Sequence, residues 1–211
     1  MVTATGIGLC AQHGGAAFGP FCGEAVQTLV HVMGQPNARK PQLESGTDNA
    51  AASLGKVAQF QASVLTSGVG MSPQDLFSSW LAYLPLRSDV QESILVNKQL
   101  AELVGMNHAP VLGANNANLP RIMSIFAEVL ETELVDEDVT QKIQSIIRNA
   151  QAAAPVVLEN ACRAIAAEGV AKLQACCVCA LRILASRCLA FRTGHHEMAK
   201  VLLDRLLLTC V

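Results

Sequence analysis

Three groups of residues have the types and spacing that chemistry uses. The first is GIGLCAQHGG, Gly6 to Gly15, where Gly6-x-Gly8-x-x-Ala11 fits a loose dinucleotide fingerprint. Such a loop needs a strand before its first glycine and an acidic residue on a second strand about 20 positions further on. Only MVTAT precedes Gly6, and the nearest acid, Glu24, sits inside a helical pattern. No Gly-Lys-Ser/Thr is present to cradle a phosphate. The glycines therefore read as mechanical: Gly6 and Gly8 for close helix approach, Gly14-Gly15 as a helix stop, and no cofactor.

The second group is Cys176-Cys177-x-Cys179 with His195-His196 downstream, which has the residue types of a zinc site. Adjacent histidines converge poorly on one ion, and the thiols fall in an apolar helical run where cysteine behaves as a small hydrophobe. The expectation is no metal. The third group pairs His13 and His31 with Cys10 and Cys22, without any spacing that assembles nucleophile, base and orienting carboxylate. The chain is expected not to be an enzyme.

The elements that carry these residues are helical. Half of the 211 residues are hydrophobic, with one Trp, one Tyr and six Phe, so Ala, Leu and Val build the core, which suits close helix packing. Residues 2–13 form an apolar segment ending at Gly14-Gly15. Pro20 opens a helix with Phe21, Ala25, Leu29 and Val32 in its stripe, closed by Gly34 and Pro36. QPNARKPQLES (35–45) reads as a polar loop, after which Thr47 or Asp48 caps a helix with Ala51, Leu54, Val57, Ala58 and Phe60 inward. After the loop SVLTSGVGM, Ser72-Pro73 starts a helix with Leu76, Phe77, Trp80, Leu81 and Leu84 in its stripe. Pro85 breaks it, and Ser88 or Asp89 starts the next, with Ile94, Leu95, Leu100, Leu103 and Val104 inward. A turn-rich link, NHAPVLGANNANLP, leads to a helix carrying Ile122, Ile125, Phe126, Val129 and Leu130. Asp136 or Asp138 opens one through Ile143, Ile146 and Ile147, and Pro155 opens another.

Helix pairs recur about every 40–45 residues, the period of HEAT-type arrays, in which neighbouring hairpins stack to share one core. An all-α bundle is the alternative that periodicity leaves open. Charge divides the chain. Residues 175–211 carry five basic groups (Arg182, Arg187, Arg192, Lys200, Arg205) against Glu197 and Asp204, a net +3, whereas residues 1–174 carry −5. The overall −2 gives no electrostatic footprint for nucleic acid. The longest apolar run, ACCVCALRILASRCLAF, is broken by Arg182 and Arg187 and is shorter than the roughly 20 residues of a spanning helix. With no signal peptide in view, the expectation is a soluble, intracellular chain whose eight cysteines are reduced thiols.

Four segments occurring in order carry a resemblance: GIGLCAQHGGAAFGPFCGEAVQTLV, TDNAAASLGKVAQF, SSWLAYLPLRSDVQES and PVLGANNANLPRIMSIFAEVL, the last with the LGxNNxNLPxI link from Leu112 to Ile122. Together they resemble the last HEAT repeats of the importin-β (karyopherin-β) family, of the importin-5 (importin β-3) type. The resemblance covers about residues 5–150 and continues weakly to Gln174, so residues 1–150 are expected to be HEAT repeats and 151–174 a weak continuation. Residues 175–211 form a divergent Cys/Arg/Leu-rich helical tail that matches nothing quotable in the family.

The resemblance implies an all-α solenoid of stacked HEAT-type hairpins wound as a right-handed superhelix, here a C-terminal fragment that begins in mid-repeat and leaves Ala4, Ile7 and Cys10 without a neighbour. It implies a nuclear transport receptor that shuttles between cytoplasm and nucleus and imports cargo proteins bearing basic signals. Ran-GTP releases the cargo through contacts mainly in N-terminal repeats, and Phe-Gly nucleoporins touch the convex face. Partners on the concave face would meet the second helix of each repeat, starting near Asp48 and Asp89. Asp48, Asn49, Lys56, Gln91, Glu92 and Asn97 are then the expected protein-binding residues, although Asp48 and Asn49 could instead cap the helix and bridge repeats. The rival function is a generic HEAT-repeat interaction scaffold with no transport role.

Overall fold

The computed structural model describes residues 2–69, 72–163 and 165–175, and among these every regular element is helical. The main helices are α1 (Val2–His13), α2 (Cys22–Met33), α3 (Pro41–Phe60), the short α4 (Ala62–Val64), α5 (Pro73–Tyr83), α6 (Val90–Gly105), the short α7 (Ala109–Leu112), α8 (Leu119–Val129), α9 (Glu137–Ala153), α10 (Pro155–Cys162) and α11 (Ala167–Ala175).

They stack as hairpins. Helices α1, α3, α6 and α9 lie side by side as one row, and α5, α8 and α10 as a second; α2 pairs with α3 at one end. One continuous core runs between the rows, from Ala11 and Phe18 through Leu54, Trp80 and Leu100 to Ile143 and Leu158. This is the all-α, HEAT-type stack, and the closed bundle is set aside. Each hairpin leans on its neighbours for burial, as a repeat too small for a core of its own must.

The start signals act locally as their chemistry requires. The Ser72 hydroxyl accepts from Gln74 N with Pro73 in the first turn, Asp89 accepts from Glu92 N, and Asp136 accepts from Val139 N. These caps satisfy amide donors that the helix itself cannot. All five stripe residues of α5, Leu76, Phe77, Trp80, Leu81 and Leu84, are buried, as are Ile122, Ile125, Phe126, Val129 and Leu130 of α8 and the turn after it.

Several expectations fail for physical reasons. Helix α3 starts at Pro41, not at Thr47 or Asp48, so most of the polar stretch 41–48 is its solvent-facing first turns. Thr47 needs no cap role there, since its hydroxyl donates to Ala38 O at 2.7 Å. Gly15–Phe21 is a 3-10 turn containing Pro20, which shifts the start of α2; Phe18, Cys22, Val26 and Met33 are buried while Phe21 is 62% exposed. Leu95 is likewise 56% exposed, its inward place taken by Val96. The expected loop at Ser63 onward is partly helical, with α4 running into a π-helical turn at Leu65–Val69.

The glycine reading splits. Gly8 is where α1 meets α3, since a Cβ there would lie 2.6 Å from the Ser53 hydroxyl, which donates to Ala4 O. Gly6 faces open space and serves no close approach. Both sit inside α1, a helix where a dinucleotide loop would need a strand–turn junction. Ala4 and Ile7 are half-buried against the core, and Cys10 is exposed.

Candidate protein-binding face

The row of α3, α6 and α9 carries a ladder of polar contacts between successive helices. Lys56 on α3 pairs with Glu92 on α6 at 2.9 Å, both side chains largely covered. Gln99 Nε2 donates to Gln59 Oε1 at 2.6 Å. On the next seam Lys98 of α6 reaches Asp138 of α9 at 3.0 Å, and Asp138 also takes Lys142 at 2.8 Å. Lys142 first and then Lys98 hold the Asp138 carboxyl below its usual range, and Asp138 in turn raises Lys98. The three pairs that cross between helices are 36 to 40 residues apart in sequence, one repeat length.

A second, buried node sits at the other edge of the first seam. The Asp48 side chain is 1% exposed and accepts four hydrogen bonds, none from its own helix. Arg39 Nη1 donates to Oδ1 at 2.6 Å; Arg87 N, Ser88 N and Ser88 Oγ donate to Oδ2 at 2.7, 2.8 and 2.9 Å. Arg39 also donates to Tyr83 O and stacks over the Tyr83 ring, whose hydroxyl donates to Met33 O. A buried carboxylate is tolerable only with its lone pairs satisfied, and here they are.

The expected partner-binding residues therefore divide. Asp48 is not exposed: it lies inside α3 and bridges two hairpins through the connector that leads into α6. Asn97 is buried too, its amide donating to Ser93 Oγ at 3.3 Å and Leu134 O at 2.9 Å, which ties α6 to the turn before α9. Lys56 and Glu92 are brought together and satisfy each other. Gln91 is exposed and Asn49 half-buried. Sequence reasoning passed over Arg39, Gln59, Gln99 and Lys98, and saw Ser88 and Asp138 only as candidate helix starts. A signal for three contacts was present, since Asp48 and Ser88, Gln59 and Gln99, and Lys98 and Asp138 each stand one 40-residue period apart.

Of the residues weighed for catalysis, Cys10 and His13 on α1 line one cavity, whereas Cys22 and His31 lie on α2. Cys22 is buried, which pushes its thiol up and away from the nucleophilic thiolate. His13 and His31 are exposed, and His31 Nε2 lies 2.9 Å from the Gln35 amide nitrogen. Among the described residues no group of three His, Cys, Asp or Glu side chains is placed to hold a metal ion, and no helix is long and apolar enough to cross a membrane. Cys176, Cys177, Cys179, His195 and His196 lie outside the described residues.

A run of hairpins locked at one-repeat spacing invites comparison with known arrays. Over 147 residues, 68% of this chain, the sequence is 26% identical to a probable importin-5 homolog of Dictyostelium discoideum. Over 141 residues, 66% of the chain, it is 23% identical to importin subunit beta-3 of Saccharomyces cerevisiae. The chain is similar to importins. This similarity supports a relationship to the importin-β family, although no family model matches the sequence. The chain spans only 13% and 12% of the length of these two importins.

Proposed function

We propose that this chain is a segment of a nuclear transport receptor of the importin-β family, of the importin-5 type. It works by reversible binding, without chemistry, in protein import into the nucleus. The observation that carries this reading is the similarity to two importins over about two-thirds of the chain, in a stack whose seams repeat at one-hairpin spacing. In this reading residues 1–150 are the binding array, 151–174 continue it, and 175–211, all but Ala175 outside the described residues, are the divergent Cys/Arg/Leu-rich tail.

The partners are cargo proteins with basic import signals and Phe-Gly nucleoporins. Ran-GTP engages mainly repeats outside this segment, and the whole receptor moves between cytoplasm and nucleus. Asn49, Lys56, Gln91 and Glu92 line the partner-facing row, whereas Asp48 and Asn97 act indirectly by setting the angle between hairpins. Small rotations at each seam add along such a stack, so contacts at one repeat bias the geometry of the next.

Pull-down with immobilised Phe-Gly repeats, a basic import-signal peptide and Ran-GTP tests the reading. Retention by the Phe-Gly repeats or the basic peptide, with weaker retention by Ran-GTP, is expected. Retention by none of the three would contradict the transport role and favour an interaction scaffold of another kind.

A further inference from the structure

The seam between the α2–α3 and α5–α6 hairpins includes a hydroxyl carried by an exposed residue. Ser88 stands in the connector between α5 and α6, just before the cap residue Asp89, and Arg87, Ser88 and Asp89 are all exposed. The backbone is extended on both sides of it, at Leu84 (φ −82°, ψ 155°) and Asp89 (φ −134°, ψ 105°). Leu84, Pro85 and Leu86 are buried, so the stretch a protein kinase could reach is Arg87–Asp89, with the serine at its centre. The Ser88 hydroxyl meanwhile donates to the buried carboxylate of Asp48, alongside the Arg87 and Ser88 amides.

From this placement we infer that Ser88 is a phosphorylation site and that its modification unlocks the seam. In the step, Ser88 Oγ attacks the γ-phosphorus of a nucleoside triphosphate held by a serine kinase. The Oγ–P bond forms, the bond to the β-phosphate oxygen breaks, the nucleoside diphosphate leaves and the hydroxyl proton passes to the kinase's base. The product carries about −1.5 to −2 charges at neutral pH. It faces a carboxylate that cannot swing away, because Asp48 is inside α3 and 1% exposed.

Two effects oppose each other. A phosphate near the start of α6 gains from the helix dipole, but that gain is a surface effect screened by salt. The repulsion comes from a carboxylate that is 1% exposed, across a part-buried contact where screening is weaker than at the open surface, and the modification also removes a donor that Asp48 uses. Repulsion wins. Arg39 is the group placed to soften it, by turning from Asp48 towards the phosphate, which itself breaks the 2.6 Å pair that anchors the seam.

Two measurements test this. Mass spectrometry of the chain isolated from its own cells with phosphatases inhibited should find the tryptic peptide Ser88–Lys98 phosphorylated at Ser88 and not at the buried Ser93; no phosphate at Ser88 overturns the assignment. The chain made with phosphoserine at position 88 should melt about 5 °C or more below the unmodified chain. In the Asp48→Asn background the same modification should lower the melting temperature by less than half as much. No shift, or an equal shift in both backgrounds, overturns the switch.

Discussion

The indole of Trp80 on α5 rests on the backbone of Gly55 on α3: a Cβ at position 55 would fall 2.7 Å from both Cε2 and Nε1 of the ring. Trp80 is fully buried, and the Phe77 ring stands edge-on beside it at 5.8 Å, so the indole has nowhere to retreat. Helix propensity alone would favour Gly55→Ala by up to about 1 kcal/mol, but overpacking against a rigid ring costs roughly 1–3 kcal/mol. The clash prevails. Gly55→Ala is expected to destabilise the chain in urea unfolding. Gly6→Ala, where nothing lies within 4 Å, should stabilise it by a few tenths to about 1 kcal/mol. Equal effects at the two positions would refute the helix contact that defines the α3–α5 packing.

Asp48→Ala strands the Arg87 and Ser88 amides and leaves Arg39 without its carboxylate, and should cost about 3 kcal/mol. Asp48→Asn keeps an acceptor and should cost about half of that. A double-mutant cycle with Arg39→Ala should return a coupling of about 1 kcal/mol, measured by chemical denaturation. Additive losses would mean that the two residues do not act together.

Lys56→Ala is expected to cost about 1 kcal/mol, because the pair is largely covered and Glu92 loses its partner, yet both groups still reach solvent. If Lys56 and Glu92 line the binding row as proposed, the same substitution should free Glu92 and strengthen retention of the basic import-signal peptide while moving the unfolding curve only slightly. A large stability loss would make the pair a structural clamp.

Acidification should destabilise the chain in two stages. His108, at the start of α7 with its ring edge-on to Phe77 at 5.4 Å, has its pKa lowered by burial from 6.5. The unfolded chain binds the proton first, so stability falls as pH drops below about 6.5 towards the folded value. Asp138 acts in the carboxylate range. Its pKa is depressed by Lys142 and Lys98, so its contribution is present above its unfolded value near 3.8 and is lost as pH falls through the folded one. His108→Gln should flatten the first stage alone, read from melting temperatures between pH 7.5 and the onset of the second.

The period, the caps and the core stripes were legible in the sequence because each depends on neighbours within one or two turns. Ser72-Pro73, Asp89 and Asp136 start helices by local hydrogen bonds, and the α5 stripe follows from 3.6-residue spacing. What misled was context. Thr47 and Asp48 look like caps because their side chains compete with the backbone, but here both side chains are taken by groups outside the helix, Ala38 O and the α5–α6 connector, while α3 runs on through them. Phe21 and Leu95 have the chemistry of core residues and the wrong register: a 3-10 turn before α2 moves one, and Val96 takes the inward place of the other. Burial of Asp48 and Asn97 was hidden for the same reason, since Arg87 and Ser88 and the Leu134 carbonyl, which tie them to the next hairpin, stand 37 to 40 residues away.

Zero-length carbodiimide coupling of lysine amines to carboxylates tests the stack itself most directly. The Lys142–Asp138 link would form in any helix and says nothing, but Lys56–Glu92 and Lys98–Asp138 bridge separate helices at 2.9 and 3.0 Å. Both links are expected within single chains at dilution, identified by mass spectrometry. Their absence, or their appearance only between differently isotope-labelled copies, would contradict an array in which α3, α6 and α9 lie side by side.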